Sequence, residues 1–242
     1  MIDQLETEIA IERNKLDAWL TESYSHMPNT PYYGEHDASY FGWSEIESLV
    51  GTIFDNNLTT KLSDCAVRSL LFFISRSDEL GWLIGWLYPN TGTQLSGVGN
   101  LTYDDFIFLC ERAVAEPDDF CDYQLVACFQ KQHKLSDSDK ALLHRFFDTK
   151  TYSYTRRLVV HAYAKFQLPE TIALIENLWA TDDCEFAKLS CLHSLESFPE
   201  SITLFNRYLL QYESQFPINE TDYRQSHMDR FREIQSKQHI KD

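Results

Sequence analysis

A chain of 242 residues with 43% hydrophobic residues, 8 Gly and 7 Pro has material for a continuous apolar interior. It has too few turn formers for a β-rich or disordered protein. Its formal net charge of −16 speaks against a nucleic-acid binder, which needs a basic stripe to displace counterions, and against attachment to an anionic membrane surface. The excess is uneven: residues 1–150 hold 24 acids and 11 bases, net −13, and residues 151–242 hold 13 acids and 10 bases, net −3.

Residues 3–24 predict an amphipathic helix. Leu5, Ile9, Leu16, Trp19 and Leu20 fall on one stripe, and the acids are expected elsewhere. Residues 25–43 break that pattern with two prolines, two glycines and five aromatics. Two readings are open for this segment: an aromatic loop tucked against the first helices, or a binding loop that uses Tyr32, Tyr33, Tyr40 and Trp43. Ser44 is the expected N-cap of a short helix to Phe54, with Glu47 at the capping-box position. Cys65–Arg76 and Asp78–Tyr88 then read as an apolar helical pair. Residues 89–102 form a glycine-rich loop. Its Gly-Val-Gly lacks the preceding strand and the following lysine of a phosphate loop.

Thr102 is placed to cap Tyr103–Ala115, which carries Phe106, Leu109, Cys110 and Ala113 on one side. Residues 118–133 and 136–148 make the next pair, with Ser136 or Asp137 as the second cap. Tyr154–Phe166 and Pro169–Trp179 follow, with Pro169 expected at a first helical position. Glu185–Phe198 and Pro199–Tyr212 close the series, and residues 221–238 predict a basic terminal helix with Tyr223, His227, Phe231 and Ile234 in register.

The last two pairs read as one unit repeated. Arg157–Leu174 is echoed by Lys188–Leu204, and the Pro-Glu dipeptides at Pro169 and Pro199 lie 199 − 169 = 30 residues apart. Helix pairs at this period resemble the HEAT/armadillo class of helical repeats, which bury their apolar faces by stacking on their neighbours. The family's Asp-Val/Arg ladder is matched only in part, at Cys65–Arg68 and Thr155–Leu158, and an ungrouped helical bundle is the alternative. The resemblance implies an all-α fold, an α-α superhelix of helical hairpins with capping helices at both ends. The whole chain, 1–242, is expected to be one helical-repeat domain: 1–60 the N-terminal cap and aromatic loop, 61–215 the repeats, 216–242 a C-terminal cap or tail. It also implies a protein that binds other macromolecules.

The candidate site is the acidic run 104–122. Asp104, Asp105, Glu111, Glu116, Asp118, Asp119 and Asp122 are opposed within it only by Arg112. First-turn carboxylates at helix N-termini account for part of the run, and the remainder suits a basic protein partner. Glu35-His36-Asp37 is a poor metal set, because three consecutive residues rarely converge on one ion. His161 and His193 occupy nearly equivalent places in the two repeats and are expected at a helix interface; with Cys191 nearby, a metal or thiol role is the alternative. Phe72, Phe73, Trp82, Trp86 and Trp179 stand at core spacing.

No Cys-x-x-Cys occurs among Cys65, Cys110, Cys121, Cys128, Cys184 and Cys191, and all but Cys121 and Cys184 sit in helical apolar patterns. They are expected to be reduced core thiols. The opening Met-Ile-Asp-Gln-Leu-Glu has neither a basic n-region nor an apolar h-region, so a cytoplasmic protein is expected.

No cofactor, no metal and no enzymatic activity are expected. HEAT-type glycosylases are basic along their groove, and HEAT-type iron hydroxylases carry His-Glu pairs, which this chain lacks. In size, charge and architecture the chain resembles bacterial immunity proteins. That likeness implies occlusion of a basic toxin, such as a nuclease, through Asp104, Asp105, Glu116, Asp118, Asp119 and Asp122 together with Tyr32, Tyr33, Tyr40 and Trp43. The second expectation is a scaffold or adaptor that takes a peptide or helix in a concave face.

Overall fold

Apolar residues recurring every three or four positions give helices wherever caps and turn residues delimit them, and the structure follows that rule closely. The computed structural model describes residues 2–24, 39–77, 101–116, 121–217, 222 and 224–238. Among them are eleven α-helices and no strand. The expected helix 78–88, the Gly-Val-Gly loop, Glu35-His36-Asp37, Tyr32, Tyr33, Trp82, Trp86, Asp118, Asp119 and Tyr223 lie outside the described residues.

The chain divides into two compact units, Met1–Lys150 and Thr151–Asp242. The first contains α1 (Ile2–Ser23), α2 (Trp43–Asp55), α3 (Asp64–Arg76), α4 (Tyr103–Ala115), α5 (Asp122–Phe129) and α6 (Asp137–Thr149). Helix α1 packs on α2 and α3, α3 on α4 and α5, and α6 on α4 and α5. Its core includes Leu16, Ile46, Phe54, Val67, Phe106, Phe129 and Phe146, each excluded from solvent. Phe73 is buried as expected. Phe72 is half-exposed, and the Arg13 guanidinium lies 3.4 Å from its ring centroid.

The second unit contains α7 (Ser153–Lys165), α8 (Thr171–Thr181), α9 (Glu185–Leu195), α10 (Ile202–Gln215) and α11 (Gln225–Gln238). Helix α7 packs both on α8 and on α9, α8 on α9, α9 on α10, and α10 on α11. The first helix of one pair therefore touches the first helix of the next. Side-chain contacts recur with that spacing. His161 Nδ1 meets Ser194 Oγ at 3.2 Å, 33 residues on, and His193 Nε2 meets His227 Nδ1 at 3.1 Å, 34 residues on.

Several helix starts agree with the sequence reading and others do not. Thr102 Oγ1 accepts from Asp105 N at 3.1 Å. Ser136 forms a full capping box with Asp139. Ser44 is not a cap: α2 begins at Trp43 behind Gly42, and the Ser44 hydroxyl donates to Glu45 instead. Gly42 is needed there because a Cβ would sit 2.6 Å from the Tyr40 hydroxyl. Pro169 lies in a turn before α8, whose first helical residue is Thr171; Gln167, at φ 50°, already turns the chain there. Pro199 opens a 3₁₀ turn, Pro199–Ser201, ahead of α10. The apolar stripe of α1 also differs from expectation. Glu12 stands in it, 7% exposed, between Ile9 and Leu16.

Candidate functional site

A count along the sequence sees seven acids and one base between 104 and 122. Folding brings in bases from other helices. Glu111 is bound by Arg145 of α6 and Glu116 accepts from Arg68 Nε of α3 at 2.8 Å, while the run's own Arg112 turns outward to Asp64 of α3 at 2.7 Å. Asp105 is 4% exposed and turned back on its own helix start, where its Oδ2 accepts from the Thr102 hydroxyl at 2.6 Å. Asp104 in the same turn is exposed.

Asp122 is wholly buried. Lys150 Nζ, itself buried, lies 3.0 Å from its carboxylate and donates to the carbonyls of Ala113 at 2.9 Å and Glu116 at 2.6 Å. The ammonium thus closes the C-terminal end of α4, where free carbonyls and the helix dipole favour a cation. Lys188 repeats the device in the second unit, where it is buried and donates to Trp179 O in the last turn of α8. Within the described part of the run, only Asp104 and the half-buried Glu116 reach the surface among the proposed contact residues.

Tyr40 and Trp43 are likewise interior, at 3% and 5% exposure. Tyr40 packs between Trp19 and Trp43, with ring centroids 5.5 and 6.0 Å away. Burial, followed by the nearby Glu12 and Glu45 charges, pushes its phenol above the usual tyrosine range. These rings hold α1 to α2. Phe41 between them is the exposed aromatic, at 80%.

The sequence reading missed a cleft between α1 and α2. It is an open, shallow cleft of about 350 Å³, lined by Glu8, Glu12, Ser44, Glu45, Ser48 and Leu49. Glu12 Oε1 accepts from Lys15 Nζ at 2.6 Å, while Glu12 Oε2 is buried without a hydrogen-bond partner. The signal was present in the sequence, since an acid at position 12 interrupts an otherwise apolar stripe. A charged residue on a core face is rare enough to mark a site.

The histidines lie at helix interfaces. Burial, reinforced by Arg157 and His193, pushes His161 down to about 4. Such an imidazole is neutral at pH 7. The buried Cys191 thiol is pushed up to about 12 by burial, so it carries no thiolate at neutral pH. Cys110 and Cys128 are buried and raised in the same way. Cys121, expected outside the apolar pattern, is buried, and Cys65, expected inside it, is exposed. Among the described residues no group of three or more His, Cys, Asp or Glu could hold a metal ion, and no helix is long and apolar enough to cross a membrane.

Three of the bases that make the last stretch locally basic are paired. Arg224 binds Glu185 and Asp222, Arg230 binds Glu196, and Arg232 Nη2 lies 2.9 Å from Glu213. No protein-family model, curated protein or solved structure shows a significant match to this chain.

Proposed function

We propose that this chain is a non-enzymatic protein-binding module of the α-α superhelical kind, acting as an immunity protein that occludes a basic toxin in the cytoplasm. The observation that carries the reading is the charge: residues 1–150 hold a net −13 of the chain's −16. The buried pairing of Asp122 with Lys150 is neutral, so the excess belongs to the remaining groups of that unit. Such a surface attracts a cationic protein over a Debye length and orients it before contact. Carboxylates then stand in for the phosphates of the toxin's own substrate. The superhelical reading draws support from the recurring histidine contacts 33 and 34 residues apart.

A scaffold or adaptor role is the second reading, and a different surface favours it. In the second unit Phe186 and Tyr154 are exposed at 48% and 36%. The Arg157 guanidinium lies 4.9 Å from the Tyr154 ring and 5.6 Å from the Phe186 ring. Aromatic and arginine side chains of this kind are enriched at interfaces. Here they would receive a peptide or helix along a concave face.

The two readings separate by salt. The protein is immobilised, exposed to native lysate at low ionic strength, eluted with a salt gradient, and the eluate identified by mass spectrometry. Each identified protein is then purified and titrated back. The toxin-occluding reading expects one basic protein, bound one to one, with affinity falling steeply as salt rises. It also expects Asp104→Lys to weaken that complex. Asp122 is unsuitable for charge reversal, because its carboxylate is buried against Lys150. Binding that persists at high salt, and that is lost on Phe186→Ala, would remove the first reading in favour of the second.

A further inference from the structure

The cleft between α1 and α2 is acidic and incomplete. Three carboxylates line it, from Glu8, Glu12 and Glu45, against one ammonium, Lys15, bound to Glu12. Glu12 is 7% exposed, and its Oε2 finds no donor. The Tyr40 hydroxyl, 3% exposed and close enough to feel the charges of Glu12 and Glu45, also has no partner. A buried carboxylate oxygen left unpaired is destabilising, and a second orphan polar atom beside it adds to that cost. The Glu12 oxygen, an acceptor only, asks for a donor, and a cation would bring one; the Tyr40 hydroxyl can itself give or take a hydrogen bond.

The geometry points to this cleft as the seat of an arginine side chain from the basic partner, its guanidinium donating to Glu12 Oε2 and held on either side by Glu8 and Glu45. This assignment rests on the toxin-occluding reading above and names the groove through which it acts. A guanidinium fits better than an ammonium for a reason visible in the cleft. Lys15 already brings an ammonium to Glu12 Oε1 at 2.6 Å and leaves the buried Oε2 without a donor. An ammonium is a compact point charge with three donors, whereas a guanidinium presents five in a plane. The waiting acceptors are spread over two helices. Glu8 Oε1 takes Gln4 Nε2 at 3.0 Å, and Glu45 Oε2 takes the Ser44 hydroxyl at 2.8 Å, so each keeps its other oxygen for a ligand. At about 350 Å³ the cleft has room for the guanidinium head with water beside it. Leu49 offers an apolar surface for the methylene stem.

The test uses the full chain and two small probes, N-acetyl-arginine amide and N-acetyl-lysine amide, titrated at low salt while backbone amide shifts are followed by NMR. Saturable shifts confined to α1 and α2, with the arginine probe the tighter, are expected. Glu12→Gln should weaken the arginine probe about tenfold, the size of one charge-assisted hydrogen bond. Glu45→Gln, at an exposed position, should weaken it without disturbing the fold, which covers the case in which Glu12→Gln alters stability. Lys15→Gln removes the competing ammonium and should tighten it.

Shifts that never saturate, or that survive both glutamate changes, would overturn the assignment. If the arginine probe does not seat while a basic partner still binds in a salt-dependent way, the cleft is refuted and the toxin-occluding reading stands. If the probe seats but no basic protein is ever captured, the partner's side chain is refuted as the occupant and a free guanidinium compound takes its place.

Discussion

Lys150 sits 4% exposed just beyond α6; its ammonium donates to the carbonyls of Ala113 and Glu116 and forms an ion pair with the Asp122 carboxylate at 3.0 Å. Nothing near Asp122 in the sequence announces this. Its base lies on another element, so position 122 reads as one more surface acid. The physical consequence is that Asp122 belongs to the fold. A buried pair of this kind can be weakly stabilising as a pair and still be costly to break, because one charge is then left desolvated. Lys150→Met should therefore lower stability by about 3–5 kcal/mol, read by urea unfolding at neutral pH. The double change Lys150→Met with Asp122→Asn should recover part of that loss, since no unpaired charge remains. A single variant as stable as the parent would show that water reaches Asp122. Glu12 is the opposite case. It was legible as an acid on an apolar stripe, but the stripe alone could not show that Glu8 and Glu45 gather round it.

Helix starts were the most readable features at the next scale, because caps depend on a few adjacent residues. Thr102 and Ser136 were found where the sequence placed them. Ser136 Oγ accepts from Asp139 N at 3.1 Å while Asp139 Oδ2 accepts from Ser136 N at 2.7 Å. Ser136→Ala should destabilise the first unit by about 1 kcal/mol, with the loss shown by hydrogen exchange in the first turn of α6. Protection unchanged in that turn would mean that the packing of α6 on α4 and α5 holds it without its cap. Ser44 and Pro169 failed as start signals because neighbouring residues set the chain's path ahead of each helix. Burial of Trp43, and the close approach of the Tyr40 hydroxyl to Gly42, move the N-cap of α2 two residues earlier, from Ser44 to Gly42. Gln167 in the left-handed region, with Leu168 N bonded back to Tyr163 O at 3.1 Å, delays α8 to Thr171. The likeness of Arg157–Leu174 to Lys188–Leu204 was visible because both run a helical apolar pattern into a Pro-Glu dipeptide. In space, His161 and His193 each reach forward to the next helix but one.

Charge acts on the molecule as a whole. With 37 acids against 21 bases, the compact state confines like charges that the unfolded chain can separate. Local ion pairs such as Arg145 with Glu111 and Arg232 with Glu213 relieve some of this repulsion, but exposed pairs of that type contribute little individually. Screening should then favour the folded state. Raising sodium chloride from about 20 to about 300 mM shortens the Debye length to within a few ångströms of contact distances and should raise the melting temperature by roughly 2–4 °C, a change of about 1 kcal/mol in a chain of this size. Circular dichroism melts at constant pH would measure it. The same salt should weaken the capture of a basic partner, because it screens attraction as it screens self-repulsion. The two effects must therefore have opposite signs if one charge excess causes both. A melting temperature that falls with salt would show that the surface pairs outweigh the net −16, and the acidic excess would lose its claim to steer a partner.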